Sequence, residues 1–381
     1  MPTPAVDTWS LPKAGDQIDE MRRRLRSTRF PASTCDGWSG GVDVSFLRRF
    51  TVFLADEYSW ETDSARFGEN HFMVHPGSGD EIAPPGIHVS LPLGERAGAR
   101  PLVLLHGWPS SSVEFAHVAG RLADGNVFPV LVDLPGFGFS GATKQPIGPR
   151  AIAGLLKRVL ADGLGLRDLI LHGNDWGSTV ASWLAIDHPE ILRGVHLSMM
   201  GLKPRLADGA LKPDDDELAW IKTVQKRLAA DAGYREIQGT KPNTAAVGLS
   251  DSPAALAAWI IEKFHGWNGG QINGDPPVAL DDLAAIVTGY WLSGNIASAN
   301  WIYAAVHAQD DTVAPATGTG DIPVGFSLFG NGFFPTPPES WARRVHRIVD
   351  YSVNQSGGHY PALTRPDTLT NDLLRFCSAL R

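Results

Sequence analysis

Residues 172 to 178 read His172-Gly173-Asn174-Asp175-Trp176-Gly177-Ser178, a frame of small residues between the apolar run Leu169-Ile170-Leu171 and a helical pattern through Val180, Trp183, Leu184 and Ile186. A sharp strand-to-helix turn leaves no room for side chains beside its apex. Gly173 and Gly177 flank Asp175 as the glycines of a G-x-S-x-G turn flank serine. The segment must therefore supply a strand, a tight turn and a helix, with a carboxylate standing at the apex. A carboxylate so placed attacks carbon and forms an alkyl ester, which water must then cleave. The alternative is an aspartate that only caps a helix.

Two further segments bear on that choice. Pro101-Leu102-Val103-Leu104-Leu105 runs as a strand into His106-Gly107-Trp108-Pro109, and Gly357-Gly358-His359 arrives near the C-terminus. The order is nucleophile first and histidine last. This constellation resembles the epoxide hydrolases of the α/β-hydrolase fold, in particular the microsomal-type branch with an N-terminal meander. The resemblance implies a mostly parallel central sheet with a helical cap and assigns Asp175 as nucleophile and His359 as base. It makes the backbone N–H groups of Trp108 and Trp176 an oxyanion hole, with His106, Gly107 and Pro109 bordering the substrate. Haloalkane dehalogenases share the aspartate turn but carry asparagine where Trp108 stands, so dehalogenation ranks below epoxide opening.

Composition sets outer limits. With 381 residues, 43% of them hydrophobic and 19% charged, the chain can bury a large core. A net charge of −8 speaks against a general affinity for nucleic acid or anionic membrane. The basic run Glu20 to Arg29 could be read as a nucleic-acid arm, but Ile18, Met21 and Leu25 interleave with its arginines as one face of an amphipathic helix ending near Phe30-Pro31. A solvated helix face is the better reading. Cys35 and Cys377 have no metal-ligand spacing, which favours a reducing compartment and packing roles. No apolar run reaches the roughly 20 residues needed to span a bilayer, and no signal-peptide pattern opens the chain. A soluble cytoplasmic protein without metal or cofactor is expected, with a small-molecule epoxide as its partner; a homodimer is left open.

Four regions follow along the chain. Residues 1–99 form the meander, although prolines and glycines between His75 and Pro92 replace the strand lead-in that the resemblance implies. Residues 100–200 and 321–381 form the core, with strands at Pro101–Leu105, Val127–Val132, Asp168–Leu171, Arg193–Leu197, Pro323–Phe329 and Arg347–Val353, and a helix over Ile152–Leu160. Residues 201–320 form the cap. Gly136-Phe137-Gly138-Phe139-Ser140-Gly141 matches a dinucleotide fingerprint, but Asp133-Leu134-Pro135 leads into it without a helix start, so it reads as a structural loop.

Within the cap, Gly233-Tyr234-Arg235-Glu236-Ile237-Gln238, Thr240-Lys241-Pro242 and Asp251 to Phe264 look like microsomal-type segments. By local match Tyr234 and Tyr303 fall where that family keeps its ring-opening phenols. A phenol, with a reference pKa of about 10, keeps its proton at neutral pH and can hydrogen-bond a developing alkoxide. The competing reading is a pair of core tyrosines with satisfied hydroxyls. Several of the 12 tryptophans fall in the cap, which suits a bulky apolar or aromatic substrate. The resemblance further implies a role in natural-product biosynthesis, since soluble bacterial members of that family include enzymes that open epoxides in such pathways.

One part of the machinery is absent. The resemblance implies a carboxylate after the strand before the last, to orient His359. That stretch reads Phe326 to Pro335 without one. Asn331 is the nearest surrogate; Asp321 falls at the far end of its strand, Asp350 lies within the last strand, and Asp208 sits early in the cap. Where an asparagine replaces the aspartate of a serine-protease triad, turnover falls by about 10⁴. The chain is thus expected to open epoxides to vicinal diols, or else to capture substrate and turn over poorly.

Overall fold

The computed structural model describes residues 4–13, 15–32, 35–77, 82–94, 97–122, 126–206 and 212–380. Strands β1 (Ala5–Trp9), β2 (His71–His75), β3 (Ile87–Ser90), β4 (Arg100–Leu105), β5 (Val127–Val132), β6 (Leu169–Gly173), β7 (Leu192–Leu197), β8 (Pro323–Phe329) and β9 (Arg347–Asn354) form one sheet, ordered β1-β2-β3-β5-β4-β6-β7-β8-β9. From β5 to β9 every pairing is parallel, whereas β1, β2, β3 and β5 pair antiparallel. This is the expected α/β-hydrolase architecture. The region between His75 and Pro92 departs from expectation in one respect: it does supply a strand, β3, wedged between β2 and β5.

Alternation along the central strands splits the core in two. Val103 and Leu105 of β4 join one buried layer, with Ile152, Leu156, Val180 and Leu184, while Leu102 and Leu104 join the other, with Phe115, Val118 and Phe376. A parallel strand buried on both faces needs this unbroken apolar run.

Around the sheet lie helices α1 (Asp16–Arg26), α2 (Val44–Asp56) and α3 (Trp60–Asp63) of the meander, then α4 (Ala116–Arg121), α5 (Pro149–Lys157) and α6 (Trp176–Asp187) of the core. Helix α1 buries Ile18, Met21 and Leu25 and ends four residues before the expected Phe30. Its arginines are spent on acids: Arg23 and Arg24 on Glu20, Arg24 also on Asp251, and Arg26 on Asp56. Helix α5 stops at Lys157, where the chain widens into a π-type turn over Arg158–Gly163. The loop after β5 folds around the buried Asp133 carboxylate, which accepts N–H bonds from Ser112 and Phe139. Of the loop's amides, Leu134 donates to His106, Phe139 to this acid, and Gly136, Phe137, Ser140 and Gly141 to backbone carbonyls, so these N–H groups are not left to cradle a phosphate.

Between β7 and β8 the described chain is helical: α7 (Asp215–Ala230), α8 (Gly233–Thr240), α9 (Pro242–Asp251), α10 (Pro253–Gly266), α11 (Leu280–Ser293), α12 (Ile296–Ala299) and α13 (Trp301–Ala308). A parallel bridge from Lys203 to Val313 ties the two ends of this insert together. The meander grips it: Trp38 stacks on His265 at 3.9 Å, and Arg66 pairs with Asp282. Helices α14 (Glu339–Arg343), α15 (Pro361–Thr364) and α16 (Pro366–Ala379) complete the chain. Among the described residues no single helix is long and apolar enough to cross a membrane. Cys377 is buried, whereas Cys35 is exposed and so does not serve the packing role expected of it.

Candidate active site

Asp175 stands between the carboxyl end of β6 and the start of α6, at φ 50° and ψ −127°. A side chain-bearing residue rarely adopts this conformation, which costs on the order of 1–3 kcal/mol and is tolerated where the surroundings enforce it. Gly177 shows how they do so: a Cβ there would sit 2.0 Å from the Leu105 carbonyl oxygen, so α6 can approach β4 only through glycine. The carboxylate makes no capping bond to its own helix. Instead the Trp108 N–H donates to Oδ1 at 2.9 Å, and His359 Nε2 lies 3.1 Å from Oδ2. The geometry thus decides against a helix-capping aspartate.

Trp108 follows β4, which adjoins β6, and His359 follows β9, so the three groups meet at the carboxyl ends of parallel strands. The Trp108 turn is braced from behind, because Tyr360 donates its hydroxyl to the Trp108 carbonyl at 3.0 Å and Tyr290 to that of Ser110 at 2.8 Å. The Trp176 N–H belongs to the first turn of α6, where amides have no intrahelical acceptor. His106, Gly107 and Pro109, expected at the substrate, are buried and do not line the cavity described below. His106 faces inward instead, accepting the Leu134 N–H at 3.0 Å, and burial lowers its pKa.

Tyr234 of α8 and Tyr303 of α13 face Asp175 across a cavity of about 770 Å³, their rings 5.7 Å apart. Trp108 stacks on Tyr234 at 5.1 Å and meets Tyr303 edge-on at 5.6 Å. Burial first, then the negative charge of Asp175, raises the Tyr234 pKa; burial likewise raises that of Tyr303. Both phenols therefore hold their protons. Met199, Trp220, Val224, Leu228, Leu328 and Phe334 make much of the remaining wall apolar.

With this geometry in place, comparison with known proteins is informative. Residues 8–115 match the family described as "Epoxide hydrolase N terminus", and residues 100–255 match "alpha/beta hydrolase fold". A protein of Stigmatella aurantiaca named "Putative epoxide hydrolase" is 30% identical over 378 residues, covering 96% of this chain and 83% of that one. The chain belongs to the epoxide hydrolases. "Epoxide hydrolase 1" of Sus scrofa is 25% identical, covering 99% of this enzyme and 89% of that one. Among solved structures, an epoxide hydrolase from Aspergillus niger superimposes with a TM-score of 0.80 at 26% identity, covering 100% of this chain and 97% of that one. A juvenile hormone epoxide hydrolase from Bombyx mori gives 0.81 at 24% identity, with 100% and 95% coverage.

The surroundings of His359 contain no supporting carboxylate among the described residues. Asn331, expected to support the imidazole, is exposed at φ 59° and makes no hydrogen bond to it. The left-handed turn at Asn331 presents its backbone carbonyl to Gly269 and sends the loop past the histidine. What meets the ring is aromatic: Tyr360, Phe334 and Trp267, with centroids at 4.7, 4.8 and 5.1 Å. Among the described residues Asp175 is the sole hydrogen-bond partner of the His359 ring. Asp208 lies outside the described residues.

Sequence reasoning missed these three rings, and it also missed Glu114. That side chain is fully buried, and its pKa is pushed up to about 8, first by burial and further by the charge of Asp175. A glutamate between Val113 and Phe115, four positions after Ser110, was the available signal: a charged residue inside an apolar run.

Proposed function

We propose that this epoxide hydrolase opens an apolar or aromatic epoxide through an alkyl ester on Asp175, which water activated by His359 then hydrolyses to a vicinal diol. The observation that carries the reading is the Asp175 carboxylate itself. It is held in a strained turn between the Trp108 N–H and His359 Nε2, and it opens onto a cavity that contains two protonated phenols.

In the first step Asp175 Oδ attacks an epoxide carbon, the carbon–oxygen bond breaks, and the leaving oxygen takes a proton from Tyr234 or Tyr303. In the second, water adds to the ester carbonyl while His359 Nε2 accepts its proton, and the oxyanion is met by the N–H groups of Trp108 and Trp176. Collapse expels the alcohol, which takes the imidazolium proton; the remaining carboxyl proton returns to the tyrosinate. The sum is epoxide plus water to diol. A cavity of about 770 Å³ with a largely apolar wall suits a substrate well above the size of a simple alkene oxide.

The test is diol formation from styrene oxide and from larger polycyclic epoxides, with the Asp175→Asn variant alongside. Activity that survives this substitution overturns the reading. A second reading, slow turnover with substrate held as ester, is favoured by the lack of a carboxylate at His359 among the described residues; a burst of one equivalent of epoxide consumed, with diol appearing only slowly behind it, would select it.

A further inference from the structure

A histidine that takes a proton from water becomes a cation, and a buried cation needs stabilisation. In a serine-protease triad a carboxylate provides it, and also accepts the N–H of the second ring nitrogen. Here the side chain of His359 is 3% exposed, yet among the described residues no carboxylate other than the nucleophile is bonded to it. The loop after β8 is pinned against the segment that carries the histidine. The backbone N–H of His359 donates to the Trp267 carbonyl at 3.1 Å, and the backbone N–H of Phe333 donates to the same oxygen at 3.3 Å. Tyr360 N–H donates to Asn268 Oδ1 at 2.9 Å. A Cβ on Gly358 would fall 2.4 Å from Asn268 Cα, and one on Gly332 would fall 2.9 Å from Gly358 Cα. Three segments, 267–268, 332–334 and 358–360, are thus interlocked backbone against backbone, and what they project at the imidazole is rings.

We propose that the His359 imidazolium is stabilised by an aromatic cage of Trp267, Phe334 and Tyr360, backed by Asp231, in the place where a triad carboxylate would act. Trp267 and Tyr360 meet the ring edge-to-face at 82° and 84°, and Phe334 lies tilted against it at 40°. Aromatic faces carry negative potential and attract cations, tryptophan most strongly, and they also accept N–H groups. Asp231 adds to this: its Oδ2 accepts the Trp267 indole N–H at 2.9 Å, which drives electron density into the indole ring, while Oδ1 is held by Lys263 at 2.7 Å. Water attack requires the tautomer with Nε2 free and the proton on the other nitrogen. Trp267, Phe334 and Tyr360 therefore act as positioning and charge-stabilising groups through His359.

The inference rests on the Asp175 ester, so the experiment follows that species directly. Styrene oxide is mixed with excess enzyme, quenched at intervals, and the protein-bound adduct followed by intact mass between pH 6 and 9. Trp267→Leu and Phe334→Leu keep bulk but remove the ring. Each is expected to slow adduct breakdown about 5–30-fold, equivalent to roughly 1–2 kcal/mol, and to slow adduct formation much less. The pH of half-maximal breakdown should also fall by up to about one unit, because a less stabilised imidazolium is a stronger acid. Misplacement of His359 by a repacked core would lower the rate without moving that midpoint. Trp267→Phe and Phe334→Tyr should recover most of both effects. Asp231→Asn should move the midpoint in the same direction as Trp267→Leu. The inference is overturned by an unmoved midpoint in both leucine variants, or by Asp208→Asn abolishing breakdown, which would place the missing carboxylate there. Absence of any adduct, even in His359→Gln, removes the ester reading as well and is distinguishable from either result.

Discussion

Gly107 gives the sharpest steric test of how the nucleophile is held. A Cβ on this residue would lie 2.1 Å from Asp175 Oδ1, 2.4 Å from its Cβ and 2.6 Å from Cγ. Gly107 is outside the left-handed region, so Gly107→Ala introduces this contact and no backbone strain. Ordinary carbon contacts fall near 3.5 Å, and the carboxylate must retreat by about 1 Å or more. It has nowhere inexpensive to go, since Oδ1 is bound to Trp108 N–H at 2.9 Å and Oδ2 lies 3.1 Å from His359. A misplacement of about 1 Å costs roughly 10² in rate, and loss of an oxyanion donor about 10²–10³. One displacement causes both, so they do not multiply: kcat/KM for diol formation should fall by about 10²–10³. Gly120→Ala, at a helical site with no atom near its Cβ, is the control and should be neutral. A folded Gly107→Ala enzyme that retains more than about a tenth of wild-type kcat/KM would refute the argument.

Other residues lead to equally direct outcomes. Glu114 has a folded pKa of about 8 against a reference of 4.5, so the stability it contributes is complete below pH 4.5 and is lost as pH rises to about 8. Chemical unfolding of wild type and Glu114→Gln should therefore diverge between pH 5 and 9, by at most about 5 kcal/mol in favour of the variant at the alkaline end; parallel curves would contradict this. Asn331→Asp, at an exposed side chain that does not reach His359, should leave adduct breakdown within about twofold of wild type, and a large acceleration would return Asn331 to the site. Tyr303→Phe and Tyr234→Phe should each slow adduct formation by about 10²-fold and spare breakdown, as single-turnover kinetics would show; the reverse pattern would remove the phenols from ring opening.

The parts of this enzyme that were legible in its sequence are those whose physics is local. Gly173 and Gly177 announce the nucleophile turn because close backbone approach excludes any other residue, and the unbroken apolar runs of β4 to β6 announce strands buried on both faces. Strand β1 was not legible, since Ala5–Trp9 is an exposed edge strand whose conformation comes from its pairing with β2. The inward orientation of His106 was not legible for a related reason: chain position puts it near the nucleophile, but the direction its ring faces depends on the Leu134 N–H that it accepts. The surroundings of His359 were least legible of all. Trp267, Phe334 and Tyr360 come from three separate segments, and only the tertiary interlock of the backbone reveals that rings fill the place of an acid.

The claim on which the account depends is that Asp175 becomes esterified, and one turnover in heavy-oxygen water tests it. With enzyme in excess over epoxide, water attacks the ester carbonyl, so the label should appear in the Asp175 carboxylate of the digested protein and be missing from the first equivalent of diol. Label in that first diol with none on Asp175 would mean that water attacks the epoxide directly, and the ester would have no place in the reaction.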